Sequence, residues 1–142
     1  MHESQISPSE WEIMRVIWTT HPITSKEINA ILQEKKEWKL ATTKTLIGRL
    51  VKKGMLSTDK KGRKYEYSPL VSEKESIEDS IDDLLEQMCD TKVGRSIETI
   101  LEKSTISKSD LERLEALIAK KKADAPEEVK CTCTPGQCSC VH

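Results

Sequence analysis

Ala41-Thr42-Thr43-Lys44-Thr45-Leu46-Ile47-Gly48-Arg49-Leu50-Val51-Lys52-Lys53-Gly54 is the stretch on which the fold turns. Wound as a helix from Ala41 or Thr42, it gathers Leu46, Ile47, Leu50 and Val51 with Thr43 on one side. Thr42, Thr45, Gly48, Arg49 and Lys52 gather opposite, Lys44 lies on the flank, and Gly54 is a natural C-terminal stop. One face is therefore apolar, and the other is small, polar and cationic. Three threonines crowd the first turn although Thr is a weak helix former. A gain other than helix stability accounts for Thr42, Thr43 and Thr45.

Upstream, two shorter helices are predicted. Ser7-Pro8-Ser9-Glu10 is a capping box with Pro at the first helical position, opening a helix to about Trp18 that His21-Pro22 breaks. Thr24-Ser25-Lys26-Glu27 is a second box, followed by Ile28, Ile31 and Leu32 at helical spacing and fading before Trp38. Trp11, Trp18 and Trp38 each sit on or beside an apolar stripe and read as packing residues. Downstream of Gly54 the period changes. Met55 to Thr58 and Tyr65-Glu66-Tyr67 read as the strands of a β-hairpin, separated by a basic turn from Asp59 to Lys64 and closed by Ser68-Pro69.

Three helices followed by a basic hairpin is the order of a winged helix-turn-helix, in which the third helix enters the major groove and the wing grips phosphate. The charge distribution agrees. The 142-residue chain has a formal net charge of -1, but residues 1–70 hold 13 Lys/Arg against 8 Asp/Glu, and residues 71–142 hold 10 against 16. Between Lys39 and Lys64 there are 9 Lys/Arg and a single acid, Asp59, a clustered positive field suited to a polyanion. The expected DNA contacts are Thr42, Thr43, Lys44, Thr45, Arg49 and Lys52 from the helix, with Lys60, Lys61, Arg63 and Lys64 on phosphate from the wing.

Beyond residue 70 the stripes are again helical. A third box at Ser72-Glu73-Lys74-Glu75 precedes Ile77, Ile81, Leu84, Leu85 and Met88; Val93, Ile97, Ile100 and Leu101 follow, and Ser107 caps a helix bearing Leu111, Leu114, Leu117 and Ile118. Stripes this thin bury little alone, so residues 71–122 are expected to form a homodimer with a second copy rather than an independent core. Lys120 to Glu128 is charged, aperiodic and interrupted by Pro126, the composition of a flexible linker. The expected organisation is a mainly α chain with a small β-hairpin: a winged-helix DNA-binding domain over 1–70, a helical dimerisation region over 71–122, and a flexible linker and cysteine tail over 123–142.

Four of the five cysteines fall in the last twelve residues, as Cys131-Thr132-Cys133-Thr134-Pro135-Gly136-Gln137-Cys138-Ser139-Cys140. Residues two apart in an extended segment project to the same side, so each CxC presents paired thiols. Pro135 and Gly136 occupy the centre of a type II turn that brings the pairs together. In a reducing compartment this pattern favours a metal cluster over disulfides. Four thiolates enclose one Zn(II), and soft thiolates also select Cu(I), of which the four can hold two by sharing sulfurs. A structural zinc ribbon is the competing reading, but it spaces its ligands CxxC inside a folded domain. Cys89, alone at the end of an amphipathic helix, reads as a small buried hydrophobe. His142 is a conceivable extra ligand and more often merely exposed.

The residues Ile6-Ser7, Glu10-Trp11-Glu12, Ile17-Trp18, Trp38, Ala41 to Leu46, Arg49 to Gly54, Gly62 to Tyr65, Tyr67 and the CxCx4CxC tail together resemble the penicillinase-repressor (BlaI/MecI) family, and within it the CopY-type copper repressors. The resemblance covers almost the whole chain. It implies a dimer on a palindromic operator of TACA/TGTA type upstream of copper-transport genes. It also implies a zinc form that represses and a Cu(I) form, loaded by a copper metallochaperone, that lets go. Two other functions are weighed against this: a copper-buffering or carrier protein, and a β-lactam-responsive repressor inactivated by proteolysis, which has no need of a thiolate tail. Catalysis is not expected, because His2, His21 and His142 are scattered, no nucleophile motif is present and a four-thiolate site leaves no open position for water. With no apolar run of spanning length and no signal-peptide pattern in MHESQIS, a cytoplasmic protein without membrane attachment is expected.

Overall fold

A computed structural model of the chain describes residues 6–140. It divides into two compact units, Met1–Ser80 and Ile81–His142. The first contains α1 (Pro8–Thr19), β1 (Ile23–Thr24), α2 (Ser25–Lys36), α3 (Leu40–Lys52), β2 (Leu56–Lys61) and β3 (Lys64–Pro69). Both capping boxes form: Ser7 and Thr24 accept from the backbone N–H of Glu10 and Glu27, and those glutamates reach back to the cap N–H. Helix α3 starts one residue earlier than its pattern predicted, after an extended Lys39 that makes no side-chain cap. It ends in a Schellman motif, with Gly54 N–H on Val51 O, Met55 N–H on Leu50 O and Gly54 at φ 77°.

The three helices bury one core, whose fully enclosed members include Ile13, Met14, Ile17, Ile23, Ile28, Ile47 and Leu50, with Trp18, Trp38 and Tyr67 packed against it. Trp11 and Trp18 meet edge to face at 5.4 Å, and the Trp18 indole N–H donates to Val71 O at 2.9 Å. Val51, expected on the apolar stripe, is exposed at its edge. The sheet runs β1-β3-β2, antiparallel throughout, with Thr58 opposite Tyr67 and Ile23 opposite Tyr67 on the other side.

One hairpin expectation needs correction. The strands continue through Lys60 and Lys61, so the turn is only Gly62-Arg63, not the whole basic stretch from Asp59 to Lys64. Gly62 at φ 64° is the first central residue of a two-residue loop, a position that favours a residue without a Cβ. The short strand β1 had no signal of its own, since two residues cannot show a period.

Glu10 does more than cap α1. Its carboxylate is only 1% exposed and accepts from the Lys53 ammonium at 2.6 Å and from Ser7 N–H at 3.1 Å. Burial pushes its pKa up, but Lys53 and Ser7 outweigh that and hold it below the ordinary 4.5. The stabilisation is therefore complete above that ordinary value and drains away as pH falls through the lower folded one. Lys53→Met should cost about 2 kcal/mol at pH 7, less than a fully buried pair because the Lys53 side chain is 28% exposed. Urea titrations at pH 7 and at successively lower pH check this: the gap between variant and parent should narrow as acid protonates Glu10.

Helix α4 (Glu73–Gln87) begins under the Ser72 cap, whose hydroxyl accepts from Glu75 N–H, and continues into the second unit. There follow a 3-10 turn (Asp90–Lys92), α5 (Val93–Lys103) and α6 (Lys108–Asp124). The stretch read as linker from Lys120 is helical as far as Asp124. Lys and Ala are good helix formers, and the break comes only at Pro126, which forces Ala125 into an extended conformation. Neither α5 nor α6 buries a residue. Ile81, Leu84, Leu85, Ile97, Ile100, Leu111, Leu117 and Ile118 are 41–55% exposed. None of the helices among the described residues is long and apolar enough to cross a membrane.

Candidate metal centre and nucleic-acid interface

The tail is drawn together by the turn its sequence specifies. Gln137 N–H donates to Thr134 O at 2.9 Å, Gly136 takes φ 98°, and the Gln137 side chain accepts from Thr134 N–H at 2.8 Å. This folds Cys138 back to within 3.1 Å of Cys131, sulfur to sulfur, while Cys133 N–H points at the Cys131 sulfur from 3.4 Å. All five cysteines are reduced and half-buried.

Cys89 corrects its expected role. Instead of lying in the core as an inert hydrophobe, it places its sulfur 3.4 Å from that of Cys131 and 3.8 Å from that of Cys140. The sulfurs of Cys89, Cys131, Cys133 and Cys138 all lie within 4.8 Å of one another. Around a cation bonded to four sulfurs at about 2.3 Å, the sulfurs stand about 3.8 Å apart, so the donor set fits a tetrahedral thiolate site with small adjustments. Spacing within the tail carried no hint of Cys89, which is brought in from 42 residues away. His142 lies outside the described residues.

The crowding splits the acidities of the thiols. Hydrogen bonds from the Thr91 hydroxyl and backbone, with help from Cys131 and Cys133, pull the pKa of Cys89 down to about 7. Cys131 moves the other way, chiefly because the Cys138 thiol stands against it. One sulfur in the cluster thus ionises near neutral pH and its neighbours resist following it. A soft or borderline cation, when bound, supplies the positive charge that lets several adjacent sulfurs ionise together.

The other expected site lies in the first unit. Thr42, Lys44, Thr45, Gly48, Arg49 and Lys52 are exposed along α3, and Lys60, Lys61, Arg63 and Lys64 are exposed on the wing. An open groove brings Leu40 and Lys44 at the start of α3 together with Arg63, Lys64 and Tyr65 of the wing. Lys26, at the start of α2, lines the same groove and escaped the sequence reading, because its helix has no cationic face of its own. Thr45 donates its hydroxyl to Ala41 O at 2.9 Å, leaving the oxygen free to accept. On the wing, Lys61 pairs with Asp59 at 3.4 Å and Lys60 lies 6.0 Å over the Tyr65 ring, both at exposed positions where such contacts are weak.

Thr43 does not belong with these residues. It is fully buried, and its hydroxyl accepts from the Asn29 amide at 2.8 Å, while the same amide donates to Trp38 O at 2.9 Å. It ties α3 to α2 from within, and its side chain is not among those exposed along α3.

The penicillinase repressor family matches residues 6–120. An uncharacterised 16.5 kDa protein encoded in the ptsI 3′ region of Latilactobacillus sakei is 41% identical over 96% of this chain and 94% of its own length. The penicillinase repressor of Bacillus licheniformis is 30% identical over 83% of this chain and 92% of its own. A solved CopR repressor structure is 51% identical, covering 48% of this chain and 99% of that one, with a TM-score of 0.42.

Proposed function

The chain belongs to the penicillinase repressor family, and from that premise we propose that it is a copper-responsive transcriptional repressor acting as a homodimer in the cytoplasm. Members of this family are DNA-binding repressors rather than enzymes. In this reading the zinc-loaded dimer sits on a palindromic operator of copper-homeostasis genes. Cu(I), taken up by the tail cysteines Cys131, Cys133, Cys138 and Cys140, replaces the zinc, and the protein leaves the DNA. A copper metallochaperone stays in the proposal as supplier, since the sulfurs are only half-buried and open to a donor protein.

The observation that carries this reading is the sulfur-only cluster. All of its tail cysteines lie at residues 131–140, past the end of the 6–120 match, so they are an addition to the family frame rather than part of it. A β-lactam-responsive repressor has no use for such a cluster. Soft sulfur donors select Cu(I) and accept Zn(II), whereas hard cations prefer oxygen ligands.

On the DNA side, Thr42, Lys44, Thr45, Arg49 and Lys52 address the major groove in the proposed complex. Arg49 has the fork that pairs bidentately with guanine, and Lys60, Lys61, Arg63 and Lys64 position the wing on phosphate. The second unit supports dimerisation: a groove lined by Leu101, Leu111, Leu114 and Ile118 runs between α5 and α6, and the neighbouring stripes are exposed. A second copy covering them would supply the core that each chain lacks.

Fluorescence anisotropy of a labelled operator tests the proposal. Affinity of the zinc-loaded protein should fall steeply with salt, by about 0.9 log units per log unit of salt for each phosphate neutralised. Added Cu(I) should release the DNA. A shallow salt response would favour a copper carrier instead, and unchanged affinity in Cu(I) would sink the sensor.

A further inference from the structure

Three consecutive residues after α4, Cys89, Asp90 and Thr91, each touch the tail. The Cys89 sulfur contacts those of Cys131 and Cys140, and the Asp90 carboxylate accepts from the Thr132 hydroxyl at 3.0 Å. The Thr91 hydroxyl bridges Cys89 at 3.1 Å and Cys140 at 3.4 Å. The corner between α4 and α5 is thus one wall of the thiol cluster.

We propose that Cys89 is itself a metal ligand, completing a Zn(II) site with Cys131, Cys133 and Cys138. This rests on the reading of the tail as a metal site and adds a fifth sulfur that the tail motif does not contain. Two observations select the set. These four sulfurs are the ones mutually within 4.8 Å, and Cys140 falls outside that group, its sulfur 3.8 Å from that of Cys89 and 3.4 Å from the Thr91 hydroxyl. Cys140 is then the spare thiolate, held by Thr91 and available when softer ions needing fewer sulfurs each replace a single four-coordinate one.

The consequence is regulatory. A site made only of tail residues would be tethered by the non-helical segment 125–130 and would report little to the fold. A site containing Cys89 closes a loop that encloses α5 and α6, restricting the chain in a way a tail-only site does not. It also fixes the metal two residues beyond the last turn of α4, the helix that begins in the winged-helix unit. Any change in how many sulfurs the metal uses is then felt at the α4–α5 corner, which supplies the differential contact that coupling requires.

The test uses the full-length chain loaded with one Zn(II) per polypeptide. A pulse of N-ethylmaleimide followed by peptide mass spectrometry should find Cys89, Cys131, Cys133 and Cys138 protected and Cys140 modified first. Cys89→Ser should weaken zinc binding, measured against a chromophoric chelator, by at least about tenfold, since even groups that only orient a ligand give losses of that order. Cys140→Ser should lose much less. Protection of all four tail cysteines with Cys89 alkylated as fast as in the metal-free protein would overturn the inference while leaving the tail site standing. A chain that takes up no zinc would overturn both. The alkylation pattern is read on the unsubstituted protein, so it holds even if Cys89→Ser disturbs folding.

Discussion

A chain ended at Ala125 should bind operator DNA and show no response to Cu(I), whereas the same addition should weaken the full-length zinc-loaded protein about 5–150-fold, the usual span of coupling between two sites. The cut falls where the fold permits it. Helix α6 closes at Asp124 with Ala125 as its cap, and no residue of the three-helix core or the wing lies beyond Val71. The exposed cations of α3 and β2–β3 are untouched, so the phosphate contacts that dominate affinity survive. What is lost is every cysteine sulfur except that of Cys89, and a single thiolate leaves most of a soft cation's coordination positions unfilled. Anisotropy titrations with and without Cu(I) on the two proteins measure the difference. A truncated chain that still releases its operator would place the copper response elsewhere.

Leu50→Ala should destabilise the winged-helix unit by about 2–5 kcal/mol. Leu50 is fully buried at the centre of the core, and its carbonyl also accepts the Met55 N–H that terminates α3. A unit of this size is stable by only about 0.05–0.15 kcal/mol per residue, so the loss takes a large share of the whole. It would also weaken DNA binding, because Arg49 and Lys52 are presented by the same turn of helix. Urea unfolding followed by tryptophan fluorescence is well suited, since Trp11, Trp18 and Trp38 all lie in that unit. Val51→Ala, one position away but 36% exposed, should cost well under half as much. Equal losses would mean that α3 does not pack as described.

What was legible in the sequence was local. Both early capping boxes, the α3 stripe with its Gly54 stop, and the Pro135-Gly136 turn are each contained in one short run of sequence, and each forms. What escaped was non-local. Strand β1 exists only because Ile23 and Thr24 meet Tyr67 and Glu66 across the sheet. Thr43 belonged to the apolar side of its helix by angle, but the crowding of threonines made it look like a DNA contact; Asn29, on another helix, claims its hydroxyl. The extent of the wing was misjudged because Lys60 and Lys61 resemble turn residues by charge, whereas pairing with Tyr65 and Lys64 makes them strand. Cys89 is the sharpest case, since a cysteine at the end of an amphipathic helix carries no local mark of partners 42 and 51 residues later.

The central claim is that occupancy of the sulfurs by Cu(I) governs the grip of the cationic helix on DNA. The most direct test follows both quantities in one titration: Cu(I) is added to the zinc-loaded protein on a labelled operator, with the ultraviolet sulfur-to-copper charge-transfer band and the anisotropy recorded together. The account predicts that operator release tracks growth of the band and is complete when the band saturates. A band that saturates while the operator stays bound would contradict it.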